Sequence, residues 1–245
     1  MPLDQLKVGA PPSYLSDRAR AEVRGLHMAP GDFSAFEPRL VPTLAYALDR
    51  LPWVERVESL ELRYPAQIAF RLVLHKPAAL LDVKGRTWAV SETGALFARA
   101  YVASGEHGRA PRLPVIRGLH LKRDGRELLE RSLALIARLR EEGMLLQARI
   151  KALDVSNMEG RVDPRAPEIR LITDSGVVID WGRFEDTGRL HIPFADKLQR
   201  LQTVLATNPE LKGLKRLMLH WDKTTAEPAP AAPKAEGVGD ELVRR

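Results

Sequence analysis

Six histidines and four separated aspartates are among the residues in this chain whose chemistry could support catalysis or metal binding, so their spacing is the first test. His27, His75, His107, His120, His191 and His220 stand far apart. No two are three or four residues apart, the separation that puts two imidazoles on one helical face toward a shared zinc ion. A paired-carboxylate mechanism would draw on Asp154, Asp163, Asp174 and Asp180. These fall at strand ends and turns, where aspartate commonly accepts backbone hydrogen bonds. Ser91, Ser156 and Ser175 lack the Gly-x-Ser-x-Gly elbow that presents a nucleophile. Neither Gly-x-Gly-x-x-Gly nor a Walker loop occurs, so no phosphate cradle is predicted. With no cysteine there is no thiol nucleophile, disulfide or thiolate metal site. The expectation is a protein without catalytic residues, metal or cofactor.

Composition narrows the partners. The net charge is +6, but acidic and basic residues alternate along Lys122–Arg131 and Arg138–Glu142 as on a solvated face. Four Trp, four Tyr and six Phe are spread singly, without the basic-aromatic interleaving of a nucleic-acid reader, so no nucleic acid is expected. No apolar run reaches the roughly 18 to 20 residues of a membrane span, and residues 1–30 lack a signal-peptide core. The chain as written reads as soluble.

The elements that would position a site follow from periodicity. Residues 1–17, with Pro2, Gly9, Pro11 and Pro12, read as an irregular lead-in. Ala21–Leu26 is predicted as a short strand. Leu40, Leu44, Leu48 and Leu51 form one helical face, and Pro52 ends that helix. Trp53 then fills the corner before Val54 opens a strand. Alternation at Leu60, Leu62 and Tyr64, a turn at Pro65, and alternation at Ile68, Phe70, Leu72 and Leu74 predict a hairpin. Beyond Pro77 short apolar runs and Gly turns suggest a strand meander. A helix is predicted over 126–142, with Gly143 stopping it. Strands follow at "IKALDVSNM", "EIRLITDS" and "GVVIDWG", the last two joined at Asp174-Ser175-Gly176. A helix from Pro193 carries Phe194, Leu198, Leu201 and Leu205, and "KRLMLHW" (215–221) is the last strand. From Thr225 the Ala/Pro-rich chain has no periodicity and is expected to be disordered.

Several of these segments, taken in order, resemble the FtsQ/DivIB family of bacterial division proteins. They are Leu51–Val54, Tyr64-Pro65, His75-Lys76-Pro77-Ala78, Asp82/Gly85/Trp88, "RLPVIRG" (112–118), "LITDSGVVIDWG", "DKLQRLQTVL" and "RLMLHWD". The family's Asp-Leu-Arg is Met218-Leu219-His220 here. The resemblance covers residues 18–224.

It implies an α+β fold: a POTRA-like domain of β-α-β-β type at 18–77, then an FtsQ-type mixed β domain at 78–224 with helices on one face. The lead-in (1–17) and the tail (225–245) flank them. It implies a non-catalytic scaffold at the septum, set in the inner membrane by an N-terminal span expected upstream of Met1, with its domains facing the periplasm or cell exterior. The implied partners are FtsB/FtsL-like proteins and the septal peptidoglycan synthesis machinery. In relatives a partner strand joins the edge near the end of the β domain, and the predicted partner-binding residues here are Arg216, Leu217, Met218, Leu219, His220 and Trp221. Alternation puts Leu217, Leu219 and Trp221 on one face, and Trp221 reads equally as an interface anchor or a cap on the core. Two other classes are a POTRA-bearing outer-membrane assembly or transport factor and an α+β hydrolase. The first needs many repeated membrane strands and the second a convergent polar pocket; neither pattern is visible.

Overall fold

The computed structural model describes residues 12–24, 38–63, 67–103, 112–119, 125–184, 191–221 and 223–230. The expected turn at Pro65, most of the loop at 103–112, and positions 1–11 and 231–245 lie outside them. Two helices, α1 (Asp17–Arg24) and α2 (Leu40–Asp49), precede a hairpin of β1 (Val54–Arg63) and β2 (Gln67–Leu74). Then come β3 (Pro77–Val83), β4 (Arg86–Ser91), β5 (Leu96–Ala98) and β6 (Val115–Arg117). Next are α3 (Gly125–Glu141), α4 (Met144–Gln147), β7 (Ile150–Asp154), β8 (Ile169–Thr173) and β9 (Val178–Gly182). The chain continues through α5 (Phe194–Thr207), β10 (Leu214–Met218) and β11 (Thr225–Pro228). The fold class is α+β, as expected.

β1 and β2 form a separate two-stranded sheet, and the other nine strands form one mixed sheet ordered β11-β10-β9-β8-β7-β6-β3-β4-β5. Pairing is parallel at β3–β6, β6–β7 and β9–β10 and antiparallel elsewhere. Side chains alternate between the two faces of a strand. On one face Leu81, Ile116, Leu153, Leu171, Ile179 and Leu217 meet the apolar stripes of α3, α4 and α5 in a single core. The α3 stripe contains the predicted Leu128, Leu129, Leu133, Ile136 and Leu139. Gly143 follows at φ 71°, the left-handed geometry that glycine adopts without strain.

A second core joins the hairpin to the other face of the sheet. Trp53, 2% exposed, packs with Val54, Ala89, Phe97, Tyr101 and Val102, and His75 stacks on Phe97 with ring centroids 6.1 Å apart. The N-terminal segment belongs to this cluster through Leu15 and Ala19. Leu15 bridges Val102, Ser16 Oγ donates to Ala100 O (2.6 Å), and Tyr101 Oη donates to Glu22 Oε1 (2.9 Å). This cluster crosses residue 77, where the two units were expected to meet.

Two expectations need correction. Residues 21–24, predicted as the first strand of a β-α-β-β unit, are the end of α1; Leu26 lies outside the described residues. Helical spacing explains it, since α1 buries Ala19 and pairs Arg18 with Glu22 one turn away. Disorder was expected from Thr225, yet Thr225–Pro228 is a strand on β10.

Candidate sheet-edge site

The predicted residues Arg216–Trp221 span β10 and the turn after it. β10 is held from one side by β9 in parallel register (Arg216 opposite Val178, Leu217 opposite Ile179, Met218 opposite Asp180), and from the other by β11. β10 is therefore an interior strand, and among the described residues the outermost strand at this end of the sheet is β11. The sequence offered no side-chain signal for β11: Thr-Ala-Glu-Pro has no apolar alternation, and the strand is held by its backbone and by an ion pair from Lys215 Nζ to Glu227 Oε1 (3.2 Å).

Leu217 and Leu219 point into the helix-side core and are fully buried. Trp221, one further step along, is 56% exposed, because the strand ends at Met218 and the chain turns out of the sheet. More than half of the residue's surface therefore faces water. The turn is held from α5, where the Arg200 guanidinium donates to Leu219 O (3.2 Å) and Trp221 O. Arg200 was not singled out by sequence reasoning, for which one arginine in a mixed-charge helix gives no signal.

Arg216, Met218 and His220 lie on the opposite face. Asp180 is completely buried there, with its Oδ2 2.5 Å from Arg216 Nε and its Oδ1 3.7 Å from Arg170 Nε. Cross-strand register extends the charge alternation, placing Asp154 opposite Arg170 and Arg170 opposite Asp180. The other aspartates considered for catalysis serve local structure. Asp154 accepts from Ser156 N (2.9 Å), Asp163 accepts from Arg165 N (2.9 Å), and Asp174 pairs with Arg112 (3.2 Å). Among the described residues no three His, Asp or Glu side chains converge as metal ligands.

His220 lies beside Trp221 with ring centroids 5.1 Å apart, and its Nδ1 is 3.4 Å from Asp180 O. Burial pushes its pKa below the ordinary histidine value, opposed in part by the Asp180 carbonyl. The contact beneath it requires glycine: Gly182 has φ 96°, and a Cβ there would fall 2.5 Å from His220 Cβ. A depression of about 370 Å³ adjoins these rings, lined by Pro164, Pro167, Arg183, Lys197, His220 and Trp221 among others. Asn157 holds its proline wall, donating to Asp163 O, Ala166 O and Pro167 O while accepting from Val162 N and Asp163 N.

The two ends of the sheet differ. Beyond the three-residue β5 the chain enters a 3-10 turn, and residues 14–16 pair with 101–103 there. At the other end β11 has no strand on its outer side among the described residues, and Trp221 stands close by in sequence. An open edge beside an exposed aromatic has the features of a surface onto which another polypeptide can add a strand.

The family model for "Cell division protein FtsQ/DivIB, C-terminal" matches residues 79–219, more than half of the chain. A search of curated proteins finds no match. The chain belongs to the FtsQ/DivIB family, a non-catalytic family of membrane-associated division proteins that act in divisome complexes at the septum. Among the described residues no helix is long and apolar enough to cross a membrane.

Proposed function

We propose that this protein is a divisome scaffold that links early and late septal proteins by taking a strand from an FtsB/FtsL-like partner onto the outer edge of β11. The partner in turn connects it to the septal peptidoglycan synthesis machinery, on the periplasmic or outer side of the inner membrane. The observation that carries this reading is the position of β11 as the last strand of a nine-stranded sheet, with Trp221 exposed at the turn before it. Main-chain groups of an edge supply affinity in strand addition, and side-chain pockets supply specificity. Trp221 and His220 supply the pocket wall; Arg216 and Met218 face the side of the sheet opposite α3 and α5; buried Leu217 and Leu219 hold β10 in place.

The test is titration of the purified protein with the soluble ectodomain of the FtsB-like protein from the same genome. Trp221→Asp, and separately a chain ending at Thr224, should each weaken binding at least tenfold. Undiminished binding by both would refute the reading. A fluorescent fusion is expected to collect at midcell, and diffuse signal throughout division would count against it.

A further inference from the structure

The direction in which β11 points its amides can be read from one bond. Ala229 N–H donates 2.7 Å to Gly213 O, on the approach to β10. N–H and C=O of a residue in an extended strand point to the same side, and successive residues alternate. The register step between the two strands falls between Leu214 and Arg216, while their partners Pro228 and Glu227 are consecutive. The extra residue is therefore in β10, and β11 runs without interruption. Glu227 and Thr225 share the inward direction of Ala229, and Ala226, Pro228 and Pro230 face outward. Proline has no N–H. The outer edge over 225–230 thus presents three carbonyls but one amide donor, that of Ala226.

We infer that Pro228 and Pro230 limit strand addition at this edge to its Thr225–Glu227 end, with Ala226 as the one residue able to exchange both bonds with a partner strand. The inference rests on the strand addition proposed above and specifies its extent. Opposite Pro228 and Pro230 an added strand can donate but finds nothing to accept from, so pairing stops within a few residues of Trp221. The same shortage acts against a second copy of this chain, because two such edges brought together have one donor each. Proline on an exposed edge is a known guard against sheet-to-sheet pairing.

The test compares wild type, Ala226→Pro and Pro228→Ala in titrations with the FtsB-like ectodomain, each read with amide hydrogen exchange of the complex. Alanine at 228 restores an outward donor without adding apolar surface. It should tighten binding about two- to tenfold, the effect of one additional hydrogen bond, and lengthen the protected stretch of the partner. Ala226→Pro removes a donor that faces away from β10 and meets no strand among the described residues, so it should fold normally and bind at least tenfold more weakly. Tight wild-type binding that neither substitution changes would overturn this inference and leave strand addition elsewhere on the edge standing. If Ala226→Pro fails to fold, Pro228→Ala decides alone. Absence of wild-type binding would overturn both readings together.

Discussion

Arg216 Nε lies 2.5 Å from Oδ2 of Asp180, a carboxylate with no exposure to solvent, and this pair ties β10 to β9 on the face opposite α3 and α5. Arg170 approaches the other oxygen from β8, so one buried anion is shared by two partly exposed guanidinium groups. Removing one partner of a buried pair costs about 3 to 5 kcal/mol, because it strands the remaining charge. Here the arginines keep about a third of their side-chain surface in water, at 32% and 35% exposure. Asp180→Asn is therefore expected to cost less, about 2 to 3 kcal/mol, measured by urea unfolding. No loss would show that the triad contributes nothing net.

Trp53→Ala should cost about 3 to 5 kcal/mol, as for other fully buried large aromatics. Its indole Nε1 is buried without a hydrogen-bond partner, so Trp53→Phe gives up volume but no bond and should cost under about 2 kcal/mol. Trp53 shares its cluster with Phe97, Tyr101 and Leu15. The hairpin and the nine-stranded sheet should consequently melt in one transition, with tryptophan fluorescence and far-UV circular dichroism giving coincident curves. Two separated transitions would disprove this coupling.

Gly182→Ala forces a Cβ to within 2.5 Å of His220 Cβ at a backbone angle that disfavours alanine. A loss of more than about 2 kcal/mol is expected, combining overpacking and backbone strain. The partner affinity should fall as well, since His220 and Trp221 must move apart from β9. Gly176→Ala makes a useful comparison: its φ of 86° is similar, but nothing lies within 4 Å of the added Cβ.

His220 predicts an acid-side loss of stability. Its folded-state pKa is pushed below the ordinary 6.5 by burial, so at acid pH the unfolded chain binds this proton more readily than the folded one. The contribution is whole above pH 6.5 and declines as pH falls from there through the depressed value. His220→Gln should flatten that part of the Tm–pH curve relative to wild type. An unchanged slope would show that His220 is not responsible.

Trp221→Ala should separate binding from folding. At 56% exposure the ring contributes little to the core, and a stability change within about 1 kcal/mol is expected. A larger loss in thermal unfolding would mean that Trp221 supports the fold after all.

What the sequence disclosed follows from where side-chain periodicity carries the structure. The stripes of α2, α3 and α5 are buried in the structure, and Asp174-Ser175-Gly176 does connect β8 to β9. Periodicity misled at α1, where eight residues rich in arginine show too few apolar positions to distinguish period 2 from period 3.6. It was silent at β11, where the backbone supplies the pairing and the residues themselves are strand-poor. The segment Arg216–Trp221 was located from sequence beside the edge, but the edge itself was missed. Its neighbours Arg200 and Asp180 belong to it only through contacts 19 and 36 residues distant along the chain, from Arg200 to Leu219 and from Asp180 to Arg216.

The opposite ends of the large sheet have a mechanical meaning. Residues 14–16 grip the β5 end and β11 closes the other, eight interstrand steps away, or about 38 Å at the usual strand spacing. Tension applied between a tether on the N-terminal segment and a partner on β11 runs across the strands, loading each ladder of hydrogen bonds in series. A chain loaded in series yields at its weakest link. β6 is three residues long and registers with β3 through two residue pairs, Leu80 with Val115 and Leu81 with Ile116. The core beneath α3 and α4 reinforces that seam, so a septal pull on this protein would be borne by packed side chains in the middle of the sheet and by backbone pairing at its rims.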